Sequence, residues 1–205
     1  MSLVAADDLN VSRETFESLE RYVQLIEKWT PKINLIAKST VPAIWDRHIS
    51  DSLQVYRAGP EDFDLWLDLG SGAGLPGIVV AIMARDIPTQ GLIRLVESDK
   101  RKSAFLRTAL RELELDGEVL PERIEVLQPQ SADVVSARAL ADLGTLLGYA
   151  QMHLKTGGIA LFPKGASWQK EVDDAQQEWS FTFDALKSET GHGSVVLRIG
   201  EISRV

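Results

Sequence analysis

From Ser12 onward, Phe16, Leu19, Val23, Ile26 and Trp29 recur at spacings of three and four, the period of one helix face. Ser12 is a fitting N-cap, and Glu14 places negative charge in the first turn. Thr30-Pro31 is expected to interrupt this helix, because proline disfavours helical backbone in the residue before it. Lys32 to Ile36 then reads as a short connector. Pro42 can open a second helix, since its missing N–H is not needed in a first turn. That helix is expected to carry Ile44, Ile49, Leu53 and Tyr56 and to end near Gly59-Pro60.

Beyond residue 61 the period changes. Short apolar runs at 65–69, 92–96, 133–137 and 159–162 alternate with helical patterns at 75–85, 99–115, 140–154 and 167–178. A further strand is expected within 118–127, and Gly157-Gly158 reads as a turn before the run at 159–162. Alternating strands and helices imply an α/β fold, a mostly parallel sheet with helices on both faces. The last two runs, 181–188 and 194–202, flank Gly191-His192-Gly193 and should form an antiparallel hairpin at one edge. The chain therefore divides into an N-terminal helical extension, residues 1–60, and an α/β domain, residues 61–205, forming one compact unit.

Composition narrows the chemistry. The 205 residues contain no cysteine, which excludes disulfides, thiolate metal sites and a cysteine nucleophile. The three histidines, His48, His153 and His192, are too scattered for a metal cluster. No apolar run approaches the ~20 residues of a membrane span, and Met1 to Asn10 lacks a signal-like block. A cytoplasmic protein that does not enter membranes is expected. The formal net charge of −8 argues against non-specific binding to nucleic acid, so RNA recognition would need a local basic patch.

The first apolar run ends in Asp68-Leu69-Gly70-Ser71-Gly72-Ala73-Gly74. Open α/β sheets bind ligands at the carboxyl ends of their strands. Glycines there let backbone approach a ligand, and the helix that follows offers free N–H groups. Two registers compete. G-x-G-x-x-G is satisfied from Gly72 through Gly74 and Gly77, a dinucleotide pattern with Pro76 inside the expected helix start. D-x-G-x-G-x-G fits 68–74 without strain, is the methyltransferase pattern, and gives Asp68 a role toward loop amides or the cofactor's ammonium group. Glu97, after the second strand, can accept both hydroxyls of an adenosine ribose. That suits NAD and S-adenosylmethionine equally.

The ordered set of motifs goes further. Asn34-Leu35-Ile36, Arg47-His48-Ile49-Ser50-Asp51-Ser52-Leu53, Asp68 to Gly77, Val96-Glu97-Ser98, Lys100-Arg101-Lys102, Phe105-Leu106-Arg107, Arg123-Ile124-Glu125, Ser136-Ala137-Arg138-Ala139 and Lys164-Gly165 follow one another along nearly the whole chain. Together they resemble the RsmG (GidB) family of 16S ribosomal RNA guanine-N7 methyltransferases. Two departures stand out: the proline-bearing 119–137 stretch is short, and Ala137 separates Ser136 from Arg138.

The resemblance implies a doubly wound, mostly parallel seven-stranded class I methyltransferase (Rossmann-like) sheet, with an antiparallel C-terminal hairpin and the N-terminal helical extension. It implies S-adenosylmethionine against Gly70 and Leu75, its adenine near Ile124 and Glu125, and a role for Arg138. With the loop reading, the cofactor set becomes Asp68, Gly70, Gly72, Gly74, Leu75, Glu97, Ser98, Ile124, Glu125 and Arg138. The implied partner of this monomer is 16S rRNA, in its 530-loop region, or the small ribosomal subunit.

Guanine N7 has a lone pair and no proton, so no general base is needed. Consistently, Ser136-Ala137-Arg138-Ala139 stands where amine methyltransferases carry N/D-P-P-Y/F. Arg47, His48 and Arg138 are the candidates for catalysis. Asn34, Arg47, His48, Lys100, Arg101, Lys102 and Lys164 are candidates for RNA contact, and Lys32 and Lys38 extend the patch. Blander roles remain open: an Arg47–Asp51 pair on one helix, and a salt bridge for Arg138. The acidic Glu171, Asp173, Asp174 and Glu178 are expected to face away from RNA. A small-molecule methyltransferase, an NAD-dependent oxidoreductase and a non-catalytic binding module are the alternatives.

Overall fold

A computed structural model describes residues 5–85 and 91–205 of the chain; the expectation for the first four residues lies outside them. The sheet is centred on β1 (Leu65–Leu69), buried at every position. Trp66 packs into the apolar cluster of the N-terminal helices, while Leu65, Leu67 and Leu69 join the cluster on the opposite face. A strand covered on both faces reads as a continuous apolar run.

Around β1 lie β2 (Leu92–Val96), β3 (Glu118–Leu120), β4 (Ala132–Ala137), β5 (Leu154–Lys164), β6 (Trp179–Lys187) and β7 (Val195–Arg204). The seven strands run in the order β3-β2-β1-β4-β5-β7-β6. Pairs from β3 to β5 are parallel, and β7 pairs antiparallel with both β5 and β6. This is the expected doubly wound sheet with its antiparallel edge hairpin. The order reverses between β1 and β4, and a crevice opens at such a switch point.

The helices are α1 (Ala6–Leu9), α2 (Arg13–Ile33), α3 (Asp51–Ala58), α4 (Gly77–Ala84), α5 (Lys100–Glu112), α6 (Leu143–His153) and α7 (Trp168–Ala175). Ser12 caps α2 as expected, accepting the Thr15 N–H at 3.1 Å. Its buried face includes Leu19, Tyr22, Val23 and Ile26, so Tyr22 shares a stripe with Leu19 and Ile26.

Four local expectations need correction. Helix α2 runs through Pro31 and ends on Asn34, left-handed at φ 53°, whose N–H bonds the Thr30 carbonyl. Pro31 lies in the last turn, where it forfeits one ladder bond, while Ile26 and Thr30 keep the apolar face buried. The second helix is not uniform. It is a 3-10 turn Lys38–Ala43 containing Pro42, a π-type turn Trp45–Ser50, and then α3. The strand within 118–127 stops at Leu120, because Pro121 has no N–H for the ladder, and Ile124–Val126 forms a 3-10 turn. Likewise β5 begins at Leu154 and carries Gly157 (φ 79°) inside it, where the pairing with β4 shifts register.

Candidate functional site

Four carboxyl ends deliver the site: the glycine loop after β1, Glu97 after β2, Arg138 after β4 and Lys164 at the end of β5. Two adjoining cavities open there, of about 940 Å³ and about 340 Å³. Gly70, Gly72, Lys102, Arg138 and Ala139 line both and form the wall between them.

Asp68 lies beneath the loop. It is 1% exposed and lines neither cavity. Its Oδ1 accepts the Ser136 hydroxyl at 2.7 Å, and Ser136 Oγ accepts the Trp66 indole N–H at 2.9 Å. Its Oδ2 accepts the Gly77 N–H at 3.3 Å, which fastens the start of α4. Burial pushes Asp68 up to about 6, against the bonds from Ser136, Ser71 and Gly77. On the far side, the Tyr22 hydroxyl donates to the Ala73 carbonyl at 2.6 Å, so α2 supports the loop.

The three loop glycines differ. All have positive φ. A Cβ on Gly74 would meet Ile78 at 2.4 Å and the Tyr22 hydroxyl at 2.9 Å, so this glycine serves packing. At Gly72 a Cβ would meet only the Gly70 carbonyl, at 3.8 Å, and would project into open space. Gly70 is roofed by Leu140, 2.7 Å from where a Cβ would stand. Leu140 follows Ala139, left-handed at φ 52°, which turns the chain sharply after Arg138.

The smaller cavity is lined by Glu97, Ser98, Ile124, Glu125, Leu140 and Tyr149, beside the shared wall. Glu97 Oε2 accepts the Gly72 N–H at 2.9 Å and Oε1 the Asp99 N–H at 2.7 Å. Each oxygen keeps a second lone pair. Glu125 accepts the Tyr149 hydroxyl at 3.1 Å and pairs with Arg123 at 3.5 Å.

The larger cavity holds Leu75, Arg47, His48, Asp51 and Lys164. Arg138 donates to His48 Nδ1 at 2.9 Å and to the Arg47 carbonyl at 3.3 Å. An arginine can only donate, so His48 Nδ1 accepts and the ring proton sits on Nε2. That N–H reaches Thr40 Oγ1 at 2.9 Å. Burial, then the charges of Arg138 and Arg47, hold His48 down to about 4. The imidazole is neutral at pH 7.

Several expected partnerships differ. Asp51 accepts the Thr190 hydroxyl of the β6–β7 loop, and among the described residues it makes no ion pair with Arg47. Arg138 takes the histidine and a carbonyl in place of a salt bridge. Lys164 is paired with Glu171 at 2.7 Å and bonds the Ala141 carbonyl, its side chain only 8% exposed. Glu171 therefore faces the cavity. Asn34, Lys100 and Arg101 lie outside both cavities, on the exposed surface. Leu140, Tyr149, Thr190 and Tyr22 are further site residues; of these, only Tyr22 carries a signal in the sequence, its helical spacing from Leu19.

The family model for rRNA small subunit methyltransferase G (GidB) matches residues 15–194. The chain belongs to the GidB family. A GidB-family relative from Ruegeria pomeroyi, named Ribosomal RNA small subunit methyltransferase G, is 52% identical over all of both chains. Another of that name, from Paracoccus denitrificans, is 48% identical over 93% of this chain and 97% of its own. Solved structures share the GidB-family fold. A SAM-dependent methyltransferase from Aquifex aeolicus superposes at TM-score 0.57, with 12% identity over 77% of this chain and 92% of that one. A ribosomal protein L11 methylase from Lactobacillus delbrueckii subsp. bulgaricus gives TM-score 0.56, at 15% identity over 76% of each.

Proposed function

We propose that this enzyme methylates N7 of a guanine in the 530 loop of 16S rRNA, using S-adenosylmethionine, and acts as a cytoplasmic monomer on the RNA or the small subunit. The cavities fit that cofactor. Open space before Gly72 admits a ligand against bare backbone. The spare lone pairs of Glu97 would accept the ribose hydroxyls, Leu140 and Ile124 would flank the adenine, and Arg138 would take the carboxylate. When bound, the cofactor supplies a methyl group on a positive sulfur.

The carrying observation is the state of His48. Both of its ring nitrogens are engaged, by Arg138 and Thr40, and it is neutral. It has no free site with which to remove a proton. N7 of guanine needs no such step, because it offers a lone pair and carries no proton. Alignment by the cavity walls then supplies the acceleration.

Leu35, Thr40, Arg47, His48, Asp51 and Gln54 of the N-terminal extension line the substrate side in this reading. RNA approaches over α5, where Lys100, Arg101 and Arg107 are exposed and Lys102 reaches the shared wall. This local charge offsets the net −8 of the chain. A small-molecule acceptor is the reading that the net charge favours. Mapping N7-methylguanine in 16S rRNA with and without the protein separates the two; an unchanged mark rejects the RNA assignment. Thermal stabilisation by S-adenosylhomocysteine but not by NAD is expected for the cofactor, and the reverse rejects it.

A further inference from the structure

Three carboxylates line the larger cavity: Asp51, Asp142 and Glu171. Two are spent on the protein. Asp142 caps α6, its Oδ1 accepting the Thr145 N–H at 3.0 Å and its Oδ2 the Thr145 hydroxyl at 2.9 Å. Glu171 holds Lys164 at 2.7 Å. Asp51 differs. Its Oδ1 accepts the Thr190 hydroxyl, and among the described residues Oδ2 receives no hydrogen bond. It lines the same cavity as His48, which stands three positions before it.

The fold also sets Asp51 apart from the glycine loop. The loop follows β1, whereas Thr190 belongs to the connection between β6 and β7, and three strand steps separate β1 from β7. At ~4.8 Å per step the strands that carry these landmarks stand ~14 Å apart across the sheet edge. A guanine with N7 toward the glycine loop turns its opposite edge, N1–H and the N2 amine, toward the other end.

We propose that Asp51 reads the target base, accepting guanine N1–H and N2–H with its two carboxylate oxygens while Thr190 holds it in place. This rests on the guanine-N7 reading above. A carboxylate accepts two parallel donors at once. Adenine presents a lone pair at N1, which the negative charge of Asp51 repels, so one residue both selects guanine and rejects adenine. Arg138 stands near enough that Asp51 is the acidic group acting most strongly on its charge.

Inosine tests this, because it keeps N1–H, O6 and N7 but lacks the N2 amine. The full-length protein is assayed on 16S rRNA, free and assembled into subunits, carrying guanosine or inosine at the methylated position. Wild type is expected to lose about 10- to 100-fold in kcat/KM on inosine, the worth of one charge-assisted hydrogen bond. Asp51→Asn retains an oxygen for Thr190 but cannot accept both donors. It is expected to slow on guanosine and to treat the two RNAs within ~3-fold of each other. Equilibrium binding of the two RNAs to protein loaded with S-adenosylhomocysteine should show the same convergence, with affinity for S-adenosylhomocysteine unchanged. A wild-type enzyme indifferent to inosine, or an Asp51→Asn variant that keeps the full preference, overturns the assignment of Asp51. No methylation of either RNA by wild type overturns instead the function on which it rests.

Discussion

Arg138 and His48 are 90 residues apart in sequence and 2.9 Å apart in the structure. The contact joins the carboxyl end of β4 to the π-type turn of the N-terminal segment. It fixes the imidazole tautomer and aims the guanidinium along the wall between the cavities. Arg138→Lys keeps a charge but loses the planar fork. We expect a 10- to 100-fold loss in kcat/KM, from one lost charge-assisted bond, with weaker S-adenosylhomocysteine binding in the same variant. Methyl transfer and calorimetric titration measure the two; unchanged cofactor affinity would place Arg138 on the substrate side alone.

Two groups titrate in opposite senses between pH 4 and 6.5. His48 is held down to about 4 in the folded protein, and an unfolded histidine titrates near 6.5. Stability from this source is full above 6.5 and falls as the pH drops, since the unfolded chain then binds the extra proton. Asp68 is pushed up to about 6. The folded state takes its proton first, so acidification through 6 toward 4 adds stability. Each is worth at most ~3 kcal/mol, less for the partly exposed His48. Denaturation midpoints of wild type should therefore change little between pH 7 and 5. His48→Gln should gain stability on acidification and Asp68→Asn should lose it; equal slopes in all three proteins would refute the opposition.

The loop glycines should separate by function. Gly72→Ala strains a positive-φ position by ~1 kcal/mol and puts a methyl group into the ligand's space. A fall in melting temperature of a few degrees, with at least a tenfold loss of S-adenosylhomocysteine affinity, is expected. Gly74→Ala drives a methyl group into Ile78 and Tyr22 and should instead lower the melting temperature strongly. Thermal unfolding with and without ligand reads both.

Lys100→Glu with Arg101→Glu reverses exposed charge outside both cavities. RNA affinity should fall and the dependence of log affinity on log salt should flatten by about two to four phosphates' worth. Cofactor affinity should be preserved, and an equal loss of both would argue against α5 as the RNA face.

Much of this architecture was visible in residue order because central strands announce themselves. β1 is buried on both faces and reads as an apolar run stopped by glycines. Pairings made by distant segments are not visible that way. Arg138 and His48 each stood out, yet nothing local says that they touch. Lys164 reads as a free cation in residue order, because the fold alone brings β5 and α7 together and sets Glu171 beside it. Pro31 marked a helix end by its backbone rule, but packing of the same face carried α2 past it. Gly191 to Gly193 read as a mere turn; that its neighbour Thr190 grips Asp51 depends on the order of the strands.

That grip spans 139 residues of chain. During synthesis, Asp51, His48 and the glycine loop leave the ribosome well before the β6–β7 loop exists to meet them. A chain made as far as Tyr149 thus holds every residue of the smaller cavity while the Thr190 wall of the larger one is missing. If Asp51 reads the base as proposed, competence to select a nucleotide arrives late in translation, when the edge hairpin docks, and the growing enzyme has no finished grip with which to seize the ribosomal RNA of its own maker.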